Sequence, residues 1–300
     1  MILRAYLILA VICIAGCGSA SGNPAPEWNY NDDFIRSIIP EMMFTENTAL
    51  IPASSFKFEN NMRYGQYSGY WDDQGVNTKL TVMNSNFTDF IGIRYGLSPN
   101  TEISTQMALY WLGSTLHSGY SHTYRREENK IGDILFSIKV NPFLKLIEDE
   151  RYAVNFGLKL PTGGDDAFIR SSFDSVDLFA MGCYELLFEK SGASVKAGYT
   201  FTSADGDYND PGNVLFFIVE IFSTPKSYSK FLLGLRGYRI AETYYSEISR
   251  FSLAPRMILF IPKTSLEIGG GLLLDIHGKN TLHGTTLLLN LNLNSTPHRP

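Results

Sequence analysis

Beyond its first 20 residues this chain has no run long and apolar enough to cross a membrane as a helix. If it spans a bilayer it does so with strands, because in lipid only helices and closed barrels satisfy every backbone polar group. Cysteine is nearly absent. Cys13 and Cys17 fall within the leading segment or at its end, which leaves Cys183 and excludes an intramolecular disulfide unless Cys17 stays free. Charge is sparse and nearly balanced, and the net charge of −5 argues against nucleic acid as a partner. Histidine is scarce too. His117, His122, His277 and His283 fall in expected outer loops and His298 in the tail.

Signatures of catalysis are missing as well. There is no Gly-x-Ser-x-Gly elbow and no His-Glu-x-x-His, so neither a serine hydrolase nor a zinc protease is indicated. His117 and His122 are spaced like metal ligands but sit on no expected helix. The acidic run ADGDYND, with Asp205, Asp207 and Asp210, lacks the spacing of an EF-hand and reads as a solvated loop. The expectation is a protein without catalytic residues, cofactor or metal.

What the chain does have is an export signal and a rhythm. Arg4 supplies a positive n-region and residues 7–15 an apolar h-region too short to span. Residues 1–22 read as a signal peptide. Ala20 and Gly22 suit an ordinary signal peptidase. The run Ile14-Ala15-Gly16-Cys17 also resembles a bacterial lipobox, which would leave Cys17 lipidated.

From residue 54 to 294 the chain is a series of roughly ten-residue segments, apolar at every second position. Phe56, Phe58, Met62 and Tyr64 share one face of the first, and Lys57, Glu59, Asn61 and Arg63 the other. Ile134, Phe136, Ile138 and Val140 oppose Ser137, Lys139 and Asn141, and Leu289, Leu291 and Leu293 oppose Asn290, Asn292 and Asn294. A soluble sandwich would alternate as well. The even count of twelve segments, the signal peptide, and Tyr, Trp and Phe near segment ends favour a transmembrane antiparallel up-and-down β-barrel. Connections after even segments are mostly tight, as at Ser98-Pro99-Asn100. Those after odd segments are mostly long: 67–85, 114–129, 161–173, 204–212, 241–247 and 275–283. Short periplasmic turns and long external loops are the asymmetry of such barrels.

The polar faces would then point inward. Lys57, Glu59, Arg63, Arg94, Glu102, Lys139, Arg151, Lys159, Asp177, Glu185, Lys196, Glu220, Arg236, Arg256 and Glu267 would line the lumen. For most of them the plain reading is mutual pairing inside a narrow barrel. Those nearest mid-barrel are the candidates for selectivity: Arg63, Arg94, Lys139, Lys159, Glu185, Arg236, Arg256 and Glu267. Residues 23–53 form a leader of different texture. Phe34, Ile35, Ile38, Ile39, Met42 and Met43 recur at helical spacing, interrupted by Pro40. Three readings stay open for it: a lumen plug, a rim helix, or a poorly ordered lead-in.

Several segments resemble a family of bacterial outer-membrane proteins named for the MetA pathway of phenol degradation. They are FTENTALIPASSFKFE (residues 44–59), RYGLSPNTEIS (94–104), IGDILFSIKV (131–140), FGLKLPTGG (156–164) and GYTFT (198–202). The Leu-Pro-Thr-Gly run is the most specific of them. The resemblance implies a transporter-like barrel in the Gram-negative outer membrane, with outer-membrane lipids and the barrel-assembly machinery as partners. The last residues, 294–300, carry no terminal aromatic of the kind that machinery reads in many barrels. The expected function is passive or facilitated passage of small molecules, hydrophobic or aromatic ones included. The alternative is a non-transporting structural or surface-binding barrel acting through its long external loops.

Overall fold

The computed structural model describes residues 42–43, 48–72, 74–117, 123–142, 149–163, 175–202, 213–226, 228–240, 248–261 and 263–295. Its twelve strands form one closed antiparallel barrel. They are β1 (Phe56–Trp71), β2 (Asn77–Ser98), β3 (Thr101–His117), β4 (Thr123–Val140), β5 (Glu150–Leu160), β6 (Asp177–Phe188), β7 (Ser191–Thr202), β8 (Val214–Lys226), β9 (Ser229–Ile240), β10 (Ile248–Phe260), β11 (Leu266–Lys279) and β12 (Thr281–Asn294). Each strand pairs with its neighbours in the chain. β1 closes the ring on β12, from Lys57 opposite Asn294 to Trp71 opposite Thr281. Closure leaves no strand edge unpaired, the condition for immersing a sheet in lipid. Among the described residues no helix is long and apolar enough to cross a membrane.

The period of two sorts the side chains. On β6, Asp177, Phe179, Met181, Cys183 and Glu185 are buried, and on β7, Ser194, Lys196, Gly198 and Thr200 are buried. The alternate positions make the outer wall. Phe58, Leu178, Ile221, Leu287 and Leu293 each stand more than half exposed. An apolar wall of that extent facing water would be an aggregation surface, whereas facing acyl chains it is the lipid contact.

Strands β5 to β10 are 11–13 residues long, close to what a tilted spanning strand needs. β1 to β4 run to 16, 22, 17 and 18 residues and project beyond the membrane on one side. Here the structure corrects the loop boundaries. Residues 67–85 are not a long loop: β1 continues to Trp71 and β2 begins at Asn77. Residues 275–283 are likewise strand, turning at Asn280 with φ 48°, a left-handed conformation that asparagine tolerates. β3 and β4 similarly take in much of 114–129. His117, His277 and His283 therefore lie on strands, not in loops. Along 67–71 the inward positions are Tyr67, Gly69 and Trp71, all buried, so the ladder persists while the polar-inside contrast that announces it disappears. The tight turns match the expectation, with β2–β3, β6–β7 and β8–β9 each joined by two residues.

Candidate functional site

The barrel interior holds most of the strand charges, and they are ordered in layers. Nearest the end where β1 begins and β12 finishes, a chain of ion pairs crosses five strands. Lys57 on β1 bridges Glu59 (3.2 Å) and Glu267 on β11 (3.4 Å). Arg94 on β2 donates to Glu59 at 2.7 Å and to Glu102 on β3 at 3.1 Å, and Lys139 on β4 reaches Glu102 at 3.3 Å. Arg94, Glu102 and Lys139 are buried. Charges this far from bulk water are tolerated only when paired, and removing one partner leaves the other costly.

Farther in, Lys159 on β5 sits between Asp133 on β4 (3.0 Å) and Asp177 on β6 (2.8 Å). Glu220 on β8 is shared between Lys196 on β7 (2.9 Å) and Arg256 on β10. Arg250 on β10 grips Asp275 on β11 through two nitrogens, at 2.9 and 2.5 Å, a bidentate pair. Asp275 also accepts from the Ser252 hydroxyl at 2.7 Å and the Gly284 amide at 2.9 Å. Arg63 on β1 lies with its guanidinium carbon 4.7 Å from the Phe90 ring centroid, and Arg250 lies 5.4 Å from that of Tyr67. Several inward polar atoms have no hydrogen-bond partner, including Asn61 Oδ1, Thr88 Oγ1 and both amide atoms of Gln106. Buried polar groups of this kind normally bond water or a ligand.

The leader enters this interior. Ile51 and Pro52 pass over Gly96 on β2, where a Cβ would lie 2.3 Å from the Pro52 carbonyl oxygen and 2.6 Å from that of Ile51. Only glycine permits that approach. The Ile51 amide then donates to Glu102 at 2.9 Å, the Ala49 carbonyl accepts from Lys139 Nζ at 2.9 Å, and the Thr48 hydroxyl donates to Glu185 at 2.5 Å. Met42 and Met43 are buried deeper, in one cluster with Phe90, Tyr110, Leu135, Phe179, Met181 and Phe216. Asn155 Nδ2 lies 3.4 Å from the Met43 sulfur. The polar contacts lie on β3 to β6, while the methionine cluster continues to Phe216 on β8 and Tyr238 on β9. Residues 1–22 with Cys17, the rest of the leader, His122, His298 and the acidic cluster Asp205, Asp207 and Asp210 lie outside the described residues.

The Leu-Pro-Thr-Gly run closes the far end of β5. The Thr162 and Gly163 amides donate to Asp133 Oδ1 at 3.2 and 3.3 Å, and the Thr162 hydroxyl donates to the Gly132 carbonyl at 2.9 Å. The Gly-Asp pair of β4 and this run are thus two halves of one contact. Asp133 is held on one side by backbone and on the other by Lys159.

Arg63, Arg94, Lys139, Lys159, Glu185, Arg236 and Arg256 are all buried and inward. Glu267 lies in the end layer, partly exposed, where it also accepts from Asn292 and Asn294. Arg151 departs from the expectation. At the first turn of β5 it is exposed, because the interior there opens to solvent. Among the described residues, Asp133, Lys230, Arg250 and Asp275 are interior charges that escaped the sequence reading. Asp133 and Arg250 share parity with Lys139 and Arg256, so extending the alternation would have found them. Asp275 was assigned to a loop that is strand. Among the described residues no group of three or more His, Cys, Asp or Glu could hold a metal ion.

The model of a family described as "Putative MetA-pathway of phenol degradation" matches residues 45–291. No curated protein matches the chain in sequence. Among solved structures, the COG4313 outer membrane channel from Pseudomonas putida F1 superposes with a TM-score of 0.67 at 12% identity, over 83% of this chain and 98% of that one. The translocator domain of the autotransporter NalP from Neisseria meningitidis gives 0.48 at 9% identity, over 89% and 99%. The toluene transporter TbuX from Ralstonia pickettii gives 0.43 at 9% identity, over 84% and 92%. The first establishes the fold as that of an outer-membrane barrel. The other two are too distant to add to it.

Proposed function

We propose that this chain, which belongs to the putative MetA-pathway of phenol degradation family, is a passive channel for small molecules in the Gram-negative outer membrane, with its own leader as plug. The observation that carries the reading is the interior itself. A barrel needed only as a scaffold can fill with apolar side chains. This one lines its interior with charge, and leaves Asn61, Thr88 and Gln106 with hydrogen-bonding atoms that only water or solute can satisfy. The eight charged residues singled out above would line the path. Phe90, Tyr110, Phe179 and Phe216 intersperse the charges and suit solutes with an apolar or aromatic body. The name of the COG4313 channel agrees with such a role.

The leader supplies the control. Residues 48–52 are strapped to Glu185, Lys139 and Glu102 at the short-turn end, the periplasmic end in barrels of this kind. Every one of those straps is polar and reversible. Efflux of small neutral solutes from proteoliposomes tests the reading. Efflux above the protein-free background, rising when residues 23–53 are removed, supports it. Background efflux from both forms, each verified as a heat-modifiable barrel, contradicts it and leaves a structural barrel.

A further inference from the structure

The outer wall carries a groove of about 600 Å³ that opens across β2 to β6. The strand register shows how it is built. One bank is a row of outward side chains: Ile93 stands opposite Thr105, Thr105 opposite Phe136, Phe136 opposite Leu158, and Leu158 opposite Leu178. The other bank lies two residues away on each strand, where Tyr95, Ile103, Ile138 and Phe156 again stand opposite one another. The floor is the backbone between the two rows, at Ser104, Ser137 and Gly157. Ser104 and Ser137 share the inward parity of Glu102 and Lys139, and their hydroxyls bond each other at 2.7 Å. Gly157 has no side chain, so the floor presents no polar side chain to the membrane.

Sheet geometry sets the dimensions. Strands stand about 4.8 Å apart, so a trough from β2 to β6 is about 19 Å long, and rows two residues apart leave it about 7 Å wide. That is the shape of one extended hydrocarbon chain. The groove also has a direction. Strands of such barrels tilt by about 35–45°, so a trough that crosses them climbs through the bilayer. Its β2–β3 end lies close to the short turn between Ser98 and Thr101, and there Tyr95 packs on Phe56 with ring centroids 4.7 Å apart. Aromatic side chains near strand ends mark the headgroup level. At the other end Leu178 lies far from the turn that follows Phe188, toward the middle of the bilayer. Phe136, Ile138, Phe156 and Leu178 are each about half exposed, so the banks are continuous with the lipid-contacting wall.

We propose that this groove is a binding site for one acyl chain of a phospholipid in the periplasmic leaflet. The headgroup lies at the Tyr95 end, and the chain rises along the trough toward Leu178. On a smooth wall a lipid touches the protein along one side only. A chain seated between two banks also gains dispersion contacts from both of them, and is held in preference to its neighbours in the bilayer. The site lies outside the lumen and does not depend on whether the lumen conducts.

The test places the full chain in vesicles of phosphatidylethanolamine and phosphatidylglycerol that contain a trace of phosphatidylethanolamine with a diazirine on one acyl chain. Illumination is followed by peptide mass spectrometry. Labels are expected severalfold more often on Phe136, Ile138 and Phe156 than on Leu233 and Leu235, comparably exposed positions on the far wall. Thr105→Trp fills the trough from its middle and should bring labelling there down to the far-wall level, whereas Leu235→Trp should leave it unchanged. If Thr105→Trp gives no heat-modifiable barrel, the wild-type distribution still decides. Even labelling around the barrel overturns the site, and so does concentrated labelling that a folded Thr105→Trp leaves intact. Concentrated labelling by a diazirine fatty acid but not by the phospholipid would assign the trough to a free acid and overturn the phospholipid.

Discussion

Replacing Gly96 by valine should unseat the leader while leaving the barrel closed. The three atoms nearest a Cβ at this position are all in the leader: the Pro52 oxygen at 2.3 Å, the Ile51 oxygen at 2.6 Å and the Pro52 carbonyl carbon at 2.8 Å. Ordinary contact needs about 3.4 Å or more, so the segment must retreat by about 1 Å. Its next link is the Ile51 amide to Glu102 at 2.9 Å, which a shift of that size takes beyond hydrogen-bonding range. A hydrogen bond to a charged group contributes about 1.5–3 kcal/mol. At about 1.4 kcal/mol per factor of ten, the equilibrium between seated and released leader should move by roughly 10–150-fold. Open probability in a planar bilayer reads this directly. If the valine variant keeps the wild-type open probability while removal of residues 23–53 raises it, the Gly96 contact does not hold the leader. If the variant loses its heat-modifiable band, the barrel bears the clash and the reasoning is refuted.

Glu102→Ala leaves Arg94 and Lys139 without a shared carboxylate, and should lower stability to urea in vesicles by about 3 kcal/mol, read from tryptophan fluorescence. A loss under about 0.5 kcal/mol, the size of an ordinary surface change, would show that water already neutralises that layer. Gly157→Ala places a Cβ 2.0 Å from the Phe179 ring and 2.5 Å from the Phe136 oxygen, and should cost about 1–3 kcal/mol in the same assay, because backbone on β4 must move. Leu289→Arg on the outer wall should cost about 2–4 kcal/mol in lipid, and a neutral result would mean that this face does not meet acyl chains. Asp133→Ala removes the acceptor of the Thr162 and Gly163 amides, whose hydrogen exchange should accelerate without global unfolding; unchanged protection would separate the two motifs.

How much of this was legible beforehand follows from where each signal comes from. Alternation is imposed by lipid on one side and a polar interior on the other, so the membrane-spanning parts of all twelve strands could be read. Even the orientation of β8, apolar on both faces, follows from Glu220 pointing inward and Ile221 outward. Where a strand leaves the bilayer the contrast vanishes, and 67–85 and 275–283 looked like loops. The inward direction of Arg63, Arg94, Lys139 and Lys159 was legible from parity alone. Their partners were not, because pairing depends on register between strands: Lys159 meets Asp133 across one ladder and Asp177 across the other. The leader's docking was least visible. Its clues were Gly96 within Arg-Tyr-Gly-Leu and the helical spacing around Met42 and Met43, and neither says which wall the segment follows.

Single-channel conductance of the refolded protein, with and without residues 23–53, tests the central claim most directly. The account predicts rare or small current steps from the full chain and larger, stable steps after truncation. Silence from both forms, each shown to be a folded barrel, would contradict it.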